Sequence, residues 1–531
     1  MKLTLPFEVL FILWTLQQAG FEAFLVGGAI RDIIIQAALG KEFSSSPITD
    51  FDFTTNAKPE EIQKIFAESF YENEFGTVGV THENLWEMLE KQHFQLPGTN
   101  LAKLYQDYLA KQEKETLIDL ASASKIHESL EIPEGQEPEL PQPKPFEITT
   151  YRADGDYADH RRPDSVEWGQ NIQDDLERRD FTINAMALKI VPSVLENFFD
   201  QKVFPPVVEL GQTQYEIVDP HGGIQDLAAK EIKAVGDPNL RFKEDALRML
   251  RALRFAVQLE MEIESQTKQA LLDHAPLIEH VSWERIQDEF FKMLISPLPK
   301  RGIGLMEETG LLQFVLPELL ESKGVEQGGH HDTDVWTHSL DALQSCPSPD
   351  PIVRLSTLLH DIGKPRTYQE IDGKITFYNH EIVGSRMASK IAQRLRLSKK
   401  DTDRVFTLVR YHMFYYQPQN NDASIRRFMR KVGLENIDDI LDLREADRLG
   451  SGARKTSWRL EEMKDRMVEQ LNQPMDVRDL AIDGHDLMEE LGLKPGKQIG
   501  EILNQLFEEV LENPELNNRE TLLEKAKKLT D

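Results

Sequence analysis

The chain has 531 residues, 61 basic against 91 acidic, one cysteine and 40% apolar residues. At roughly 150 residues per domain this predicts three or four domains, and a net charge of −30 excludes a protein that coats nucleic acid non-specifically, although a local basic groove stays possible. The lone Cys346 rules out a disulfide framework and a cysteine zinc finger, and no run approaches the roughly 18 apolar residues of a membrane span.

The N-terminal PFEVLFILWTLQQAGF carries Glu8 and lacks a basic start and a cleavage site, so it reads as a buried amphipathic helix through Phe7, Leu10, Phe11 and Trp14 rather than a signal peptide. The expectation is a soluble, cytoplasmic, multidomain protein. Residues 1–80 alternate helix-like and strand-like patterns, with FEAFLVGGAIRD and ITDFDFTT as strand-to-turn segments. Residues 81–145 differ: Leu101, Leu104, Tyr105, Tyr108 and Leu109 mark an amphipathic helix, and EIPEGQEPELPQPKP, with five prolines, reads as an extended linker. The strand-like FEITTYR follows, so 81–145 is expected to be an insertion between two strands of one sheet, a helical excursion outside the pocket. After Arg241 the pattern is helical almost to the end, and EDALRMLRALRFAVQLEM places Leu247, Leu250, Ala252 and Leu253 near one face of a helix. The expected fold is an α/β head (1–235), a helical neck (236–325), a histidine-bearing helical domain (326–460) and a helical tail (461–531).

Asp50 and Asp52 stand at i and i+2 in TDFDFTT, a spacing that on a strand puts both carboxylates on one face and Phe51 and Phe53 on the other. Two neighbouring carboxylates repel unless a cation lies between them, and magnesium prefers carboxylates plus substrate phosphate oxygens. Alone, D-x-D equally suits a solvated edge strand. Upstream, LVGGAIRD ends a strand in Gly27-Gly28 before a helix start, where glycines let phosphates approach and helix N–H groups and Arg31 supply donors.

With these, ERRDFTINAMAL, DPHGGIQDL, EDALRMLRALRFA and ERIQDEF follow in order, and the chain resembles the class II tRNA nucleotidyltransferases, the family of CCA-adding enzymes and bacterial poly(A) polymerases within the DNA polymerase β-like superfamily. The resemblance covers 1–80 and 146 to about 315 and resumes near the C-terminus. It implies that Gly27 and Gly28 cradle a triphosphate and that Asp50 and Asp52 hold catalytic Mg2+. It implies Glu147 as a third carboxylate, Arg179 and Asn184 on phosphates, and Asp180 on the ribose. Asp245 and Arg248 then read the base, with Arg251 on the same helix. A carboxylate accepts from an exocyclic amine and a guanidinium donates to ring acceptors, so one pair serves CTP and ATP. Asp219, Gly222 and Gly223 resemble a flexible segment adjusting that pocket, Arg161 and Arg162 a structural or primer-side clamp. Glu284, Arg285 and Glu289 resemble helix support and receive no chemistry.

His338, His360-Asp361, His380, His412 and Asp447 lie in separate helical segments. Imidazoles with carboxylates suit Mn, Fe, Ni, Co or Zn better than magnesium. The order resembles HD-domain phosphohydrolases, implying His338, His360, Asp361 and Asp447 as core ligands, His380 and His412 as completing a two-metal site, and Lys364 on a substrate phosphate. His330 and His331 read as loop residues near that site. Some CCA-adding enzymes carry such a domain, which implies phosphatase, 2′-nucleotidase or cyclic phosphodiesterase activity; the bland alternative is an inactive structural domain.

An acidic enzyme that binds tRNA needs a positive track. IRRFMRK supplies Arg426, Arg427, Arg430 and Lys431, GARKTSWR supplies Arg454, Lys455 and Arg459, and the tail turn carries Lys494 and Lys497. Each is equally read as a solvated helix face. Three functions compete: CCA addition to the tRNA 3′ end from CTP and ATP, with an appended phosphohydrolase; poly(A) polymerase or an A-only or CC-only enzyme; and a metal phosphohydrolase whose head merely binds RNA. The chain is expected to be a monomer or homodimer.

Overall fold

The computed structural model describes residues 1–41, 47–71, 76–94, 97–110, 144–154, 166–169, 171–201, 204–328 and 333–530. The chain divides into two compact units, one running through Val315 and the other from Leu316 onward.

The first unit is built on strands β1 (Leu3–Pro6), β2 (Ala23–Val26), β3 (Asp52–Thr55), β4 (Phe70–Tyr71), β5 (Thr77–Val80), β6 (Phe146–Thr150), β7 (Arg152–Asp154), β8 (Val166–Trp168), β9 (Ala187–Ile190), β10 (Val207–Leu210) and β11 (Tyr215–Val218). Seven form one sheet in the order β11-β9-β2-β3-β6-β5-β4. Only the β3–β6 pair within it is parallel, and its register sets Asp52 opposite Glu147. β5 and β6 are antiparallel neighbours, so residues 81–145 do join two adjacent strands.

The helix Phe7–Gln18 departs from the amphipathic expectation: Phe7, Val9, Leu10, Phe11, Ile12, Leu13 and Leu16 are all buried. One side faces the sheet, and the insertion covers another. Trp86, on the helix His82–Lys91, meets Phe7 edge-on at 5.8 Å, and Phe94 meets Phe11 at 5.9 Å. Glu8 is sealed beneath them, accepting from the Leu101 backbone N–H at 2.8 Å and from Trp86 Nε1 at 3.4 Å. Its other oxygen is buried without a hydrogen bond, and desolvation pushes its pKa up to about 7.

Helices Pro238–Glu244, Leu247–Gln258, Ser265–His274, Trp283–Leu294 and Pro299–Glu308 complete this unit. The expected continuous EDALR helix is broken. Asp245 is extended (φ −142°, ψ 102°), and its carboxylate accepts from the Leu247 N–H at 3.1 Å, capping a new helix start.

The second unit is helical apart from a small hairpin, Gln369–Ile371 with Lys374–Thr376. Its helices Val335–Ser345, Pro351–Leu359, His380–Arg394, Lys399–Tyr411 and Ile437–Gly450 surround the histidine cluster. The tail helices Gly484–Leu491, Lys497–Glu512 and Arg519–Thr530 close over a core of their own around Leu487, Leu506, Phe507 and Val510.

Candidate functional site

In the head, β2 runs into Gly27, whose φ of +79° suits glycine, and the helix Gly28–Leu39 starts immediately after it. A Cβ on Gly27 would lie 3.0 Å from Arg179 Nη1 and 3.3 Å from Asp52 Oδ2, so the turn, an arginine and a carboxylate share one small space. Asp50 lies in the extended lead-in to β3 rather than on it, and is exposed, while Phe51 and Phe53 are buried on the opposite face as the alternation demands.

Lys144, the last residues of the insertion having returned to the sheet, puts its Nζ 2.9 Å from Asp50 Oδ2. Although partial burial pulls its pKa down, the hydrogen bond and charge of Asp50, then the charges of Glu147 and Asp52, raise it overall. Asp50, Asp52 and Glu147 thus present a concentrated negative field that an ammonium balances here, the donor set a hard divalent cation prefers. Nothing in the sequence pointed to Lys144, because 94 positions separate it from Asp50. The insertion is therefore not wholly outside the pocket: its closing end touches the carboxylates.

Behind the glycine turn, polar groups are locked to one another. Arg31 is buried rather than open to a phosphate; it donates to Asn184 Oδ1 at 2.7 Å and to Asp32 at 2.8 and 2.9 Å, and lies over Phe255. Asp180 accepts from Asn184 Nδ2 at 3.2 Å and from Arg251 at 2.6–2.8 Å. Burial alone would raise the Asp180 pKa, but Arg251 and these hydrogen bonds take it down to about 2. Arg179 pairs with buried Asp175 at 3.1 Å. The two Asp219 oxygens accept from the N–H groups of Gly223 and Ile224 at 2.7 and 2.9 Å, at the start of the helix Gly223–Ala229. Arg161 and Arg162 lie outside the described residues.

The expected Asp245–Arg248 pair is divided between other partners. Arg285 Nη2 donates to Asp245 at 2.7 Å, while Arg248 donates to Glu244 at 2.6 Å and to the Arg178 and Arg241 carbonyls at 2.9 and 3.2 Å. Arg285 is thus the residue in direct contact with Asp245, a role that helix support alone did not suggest. Glu289 serves Arg254 at 2.5 Å and Arg251 at 3.7 Å.

In the second unit the histidines and aspartates converge. Asp361 Oδ2 lies 3.4 Å from His338 Nε2 and 3.2 Å from His360 Nε2; its Oδ1 lies 3.4 Å from His380 Nε2 and 3.7 Å from His412 Nε2. Asp447 Oδ1 joins the first pair, 3.3 Å from His338 and 3.7 Å from His360. One buried carboxylate therefore faces two imidazole pairs, the layout of a bridging ligand. His360, His380 and His412 each turn Nδ1 to a carbonyl three residues back (Thr357, Phe377 and Val409, at 2.7, 2.9 and 2.7 Å), which fixes Nε2 inward. Burial opposes charge on Asp361, yet the His360 and Lys364 charges hold its pKa well below the usual range; burial lowers that of His380. Lys364 Nζ sits 2.6 Å from Asp361 and 2.7 Å from Gln327 Oε1. The donor set fits transition metals. His330 and His331 lie outside the described residues.

Of the basic residues expected on RNA, Arg426 is corrected outright: it is buried, donating to the Leu511 carbonyl at 2.7 and 3.0 Å and to Gln470, and so ties helix Asp422–Val432 to the tail. Arg427 pairs with Glu512 and Arg430 with Glu508, whereas Lys431, Lys494 and Lys497 are exposed, the last on Glu501 at 2.9 Å.

A mixed sheet carrying spaced carboxylates beside a glycine turn, followed along the chain by helices, defines a nucleotidyltransferase of the polymerase β-like class. The "Poly A polymerase head domain" model matches residues 23–123 and 115–233; "Probable RNA and SrmB- binding site of polymerase A" matches 260–322, and "tRNA nucleotidyltransferase domain 2 putative" matches 376–526. The chain is 36% identical over 360 residues to the A-adding tRNA nucleotidyltransferase of Deinococcus radiodurans, covering 65% of this chain and 76% of that one. It is 29% identical over 523 residues to the CCA-adding enzyme of Ligilactobacillus salivarius, covering 98% and 96%. Its fold matches the Bacillus stearothermophilus CCA-adding enzyme solved with CTP, with a TM-score of 0.60 at 24% identity over 98% of each chain. The chain belongs to the tRNA nucleotidyltransferase/poly(A) polymerase family and is a nucleotidyltransferase. No described helix is long and apolar enough to cross a membrane.

Proposed function

We propose that the chain adds C, C and A to the 3′ end of tRNA from CTP and ATP, and that its His/Asp cluster is a phosphohydrolase centre. The observation that carries the first part is the cation-demanding group of Asp50, Asp52 and Glu147 around Lys144, beside the Gly27 turn. Asp50 and Asp52, with Glu147 opposite Asp52, would hold Mg2+, which when bound lowers the charge cost on the attacking and leaving oxygens of an in-line displacement. The tRNA 3′-hydroxyl gives its proton to solvent, its oxygen bonds to the α-phosphorus as the bond from that phosphorus to the bridging oxygen breaks, and pyrophosphate leaves. Gly27 and Gly28 let the triphosphate approach the helix N-terminus, with Arg179 beside them. Asp180 and Asn184, already fixed by Arg251 and Arg31, hold the nucleotide side of this turn. Asp245 and Arg248 read the base, Arg248 exchanging Glu244 for it while Arg285 keeps Asp245 in place. Asp361, His338, His360, Asp447, His380 and His412 would hold transition-metal ions that activate water against a phosphoester.

The full-length similarity to a CCA-adding enzyme favours three-base addition; the higher identity to an A-adding enzyme favours a second reading, addition of the terminal A alone. A tRNA lacking its 3′ end and the same tRNA ending in CC, each given CTP alone, ATP alone or both, separate them. Ordered CCA synthesis supports the proposal. Extension only of tRNA already ending in CC supports the second, and long ATP-driven tails on any RNA overturn both. The setting implied is cytoplasmic.

A further inference from the structure

Around the basic segment GARKTSWR, the second unit bears two adjoining hollows of about 270 and 560 Å³ that share Arg448, Ser457 and Trp458. Two large rings stand open there: Trp458 is 63% exposed and Tyr415 71%. In a chain of net charge −30, the residues lining the hollows include Arg444, Arg448, Arg454, Lys455 and Arg459 against one carboxylate, Glu461. Arg459 already lies over the Trp458 ring at 5.3 Å, and Arg444 lies 5.7 Å from the Phe414 ring. Arg448 donates to the carbonyls of Arg454 and Thr456 at 3.1 and 3.3 Å, which holds the basic loop against the helix.

Exposed rings beside guanidinium groups are a stacking platform with phosphate donors, the combination that takes unpaired bases and their backbone. A duplex would keep its base faces stacked away from both rings. The cleft also leads somewhere. Arg444 lines it, and its Nη1 donates at 2.6 Å to Asp447, whose other oxygen lies 3.3 Å from His338 Nε2. Arg444 thus touches both the cleft and a carboxylate of the His/Asp cluster.

We propose that this cleft binds a single-stranded RNA end, bases on Trp458 and Tyr415 and phosphates on Arg448 and Arg459, and delivers its phosphoester to the His/Asp centre. The delivery step rests on the phosphohydrolase reading above; the binding step does not. The test uses the full chain, freed of metal by chelator, with a short fluorescein-labelled single-stranded RNA containing 4-thiouridine. Photocrosslinks should map to the peptides bearing Tyr415 and Trp458. Trp458→Ala should weaken binding about tenfold and remove that crosslink. Arg448→Gln should weaken binding several-fold and flatten the dependence of log Kd on log salt by about 0.7. Crosslinks that map elsewhere, affinities within twofold of wild type for both variants, or a preference for the annealed duplex would overturn the proposal and leave the cleft to a protein partner. A parallel assay with metal-loaded protein and bis(p-nitrophenyl) phosphate separates the two readings. Hydrolysis without cleft crosslinks sinks the cleft alone; cleft crosslinks without hydrolysis of either that ester or the RNA sink the delivery step and the phosphohydrolase reading.

Discussion

The head and the second unit each gather carboxylates closely, and they do it in opposite ways. Asp50 is exposed, precedes its strand and is steadied by a lysine from the end of an insertion. His338, His360, Asp361, His380 and His412 are buried, and three of the imidazoles are tied to carbonyls three residues back along the chain. The first arrangement suits a metal that arrives with a triphosphate and leaves with the product. The second suits a metal that stays, because the ligands are already paid for in folding.

The sharpest way to break this contrast is at the carboxylates. Asp52→Asn should reduce single-turnover CMP incorporation about a thousandfold or more, with hydrolysis of a simple phosphoester unchanged. Asp361→Asn should do the reverse: elemental analysis after dialysis should show a copurifying transition metal lost with phosphoester hydrolysis, and nucleotide addition untouched. If Asp361→Asn kept its metal, a bridging role for that carboxylate would be wrong. A smaller effect is expected at Arg285→Ala, which frees Asp245: about a tenfold fall in kcat/KM for CTP and ATP, with misincorporation of UTP or GTP increased. Arg285→Lys should recover part of it.

The gentlest test concerns stability. Glu8 has a folded pKa of about 7 against 4.5 in the open chain, so it remains protonated in the fold where the unfolded chain has lost its proton. Its contribution is therefore fully present below about pH 4.5 and lost as pH rises through about 7, a change on the order of 3 kcal/mol. Urea unfolding of the wild type should show the head weakening across that window, and Glu8→Gln should flatten the profile. An unchanged profile would mean that Glu8 is hydrated when the insertion lifts.

Much of both clusters was legible because each is written locally. The i, i+2 aspartates, the paired glycines before a helix and the order of histidines with an adjacent aspartate mark the positions by spacing, and the resemblance to known families supplied their expected chemistry. What escaped depends on distant partners. Lys144 ends a proline-rich segment that nothing local connects to Asp50. Arg426 sits in a basic string that reads as solvated, yet the unsatisfied carbonyl of Leu511 at a helix end draws it inside. The break at Asp245 was hidden because the apolar spacing continues past it; only the Asp245 carboxylate capping Leu247 reveals it. The helix Phe7–Gln18 reads as a buried amphipathic helix with one apolar stripe, because the pattern cannot show that an insertion covers a second side.

Gly450 gives the contrast a consequence for mutation. A Cβ there would stand 2.6 Å from the Ala342 backbone nitrogen and 2.9 Å from its Cα. The helix carrying Asp447 thus crosses the helix carrying His338 with no room for one extra methyl. A copying error as slight as Gly450→Ala would wedge those helices apart and disorder the His/Asp cluster between them, while the carboxylates of the head, on a sheet in the other unit, would keep their places. The cluster is thus as exposed to loss through a helix crossing that touches no ligand as through a change at a ligand itself.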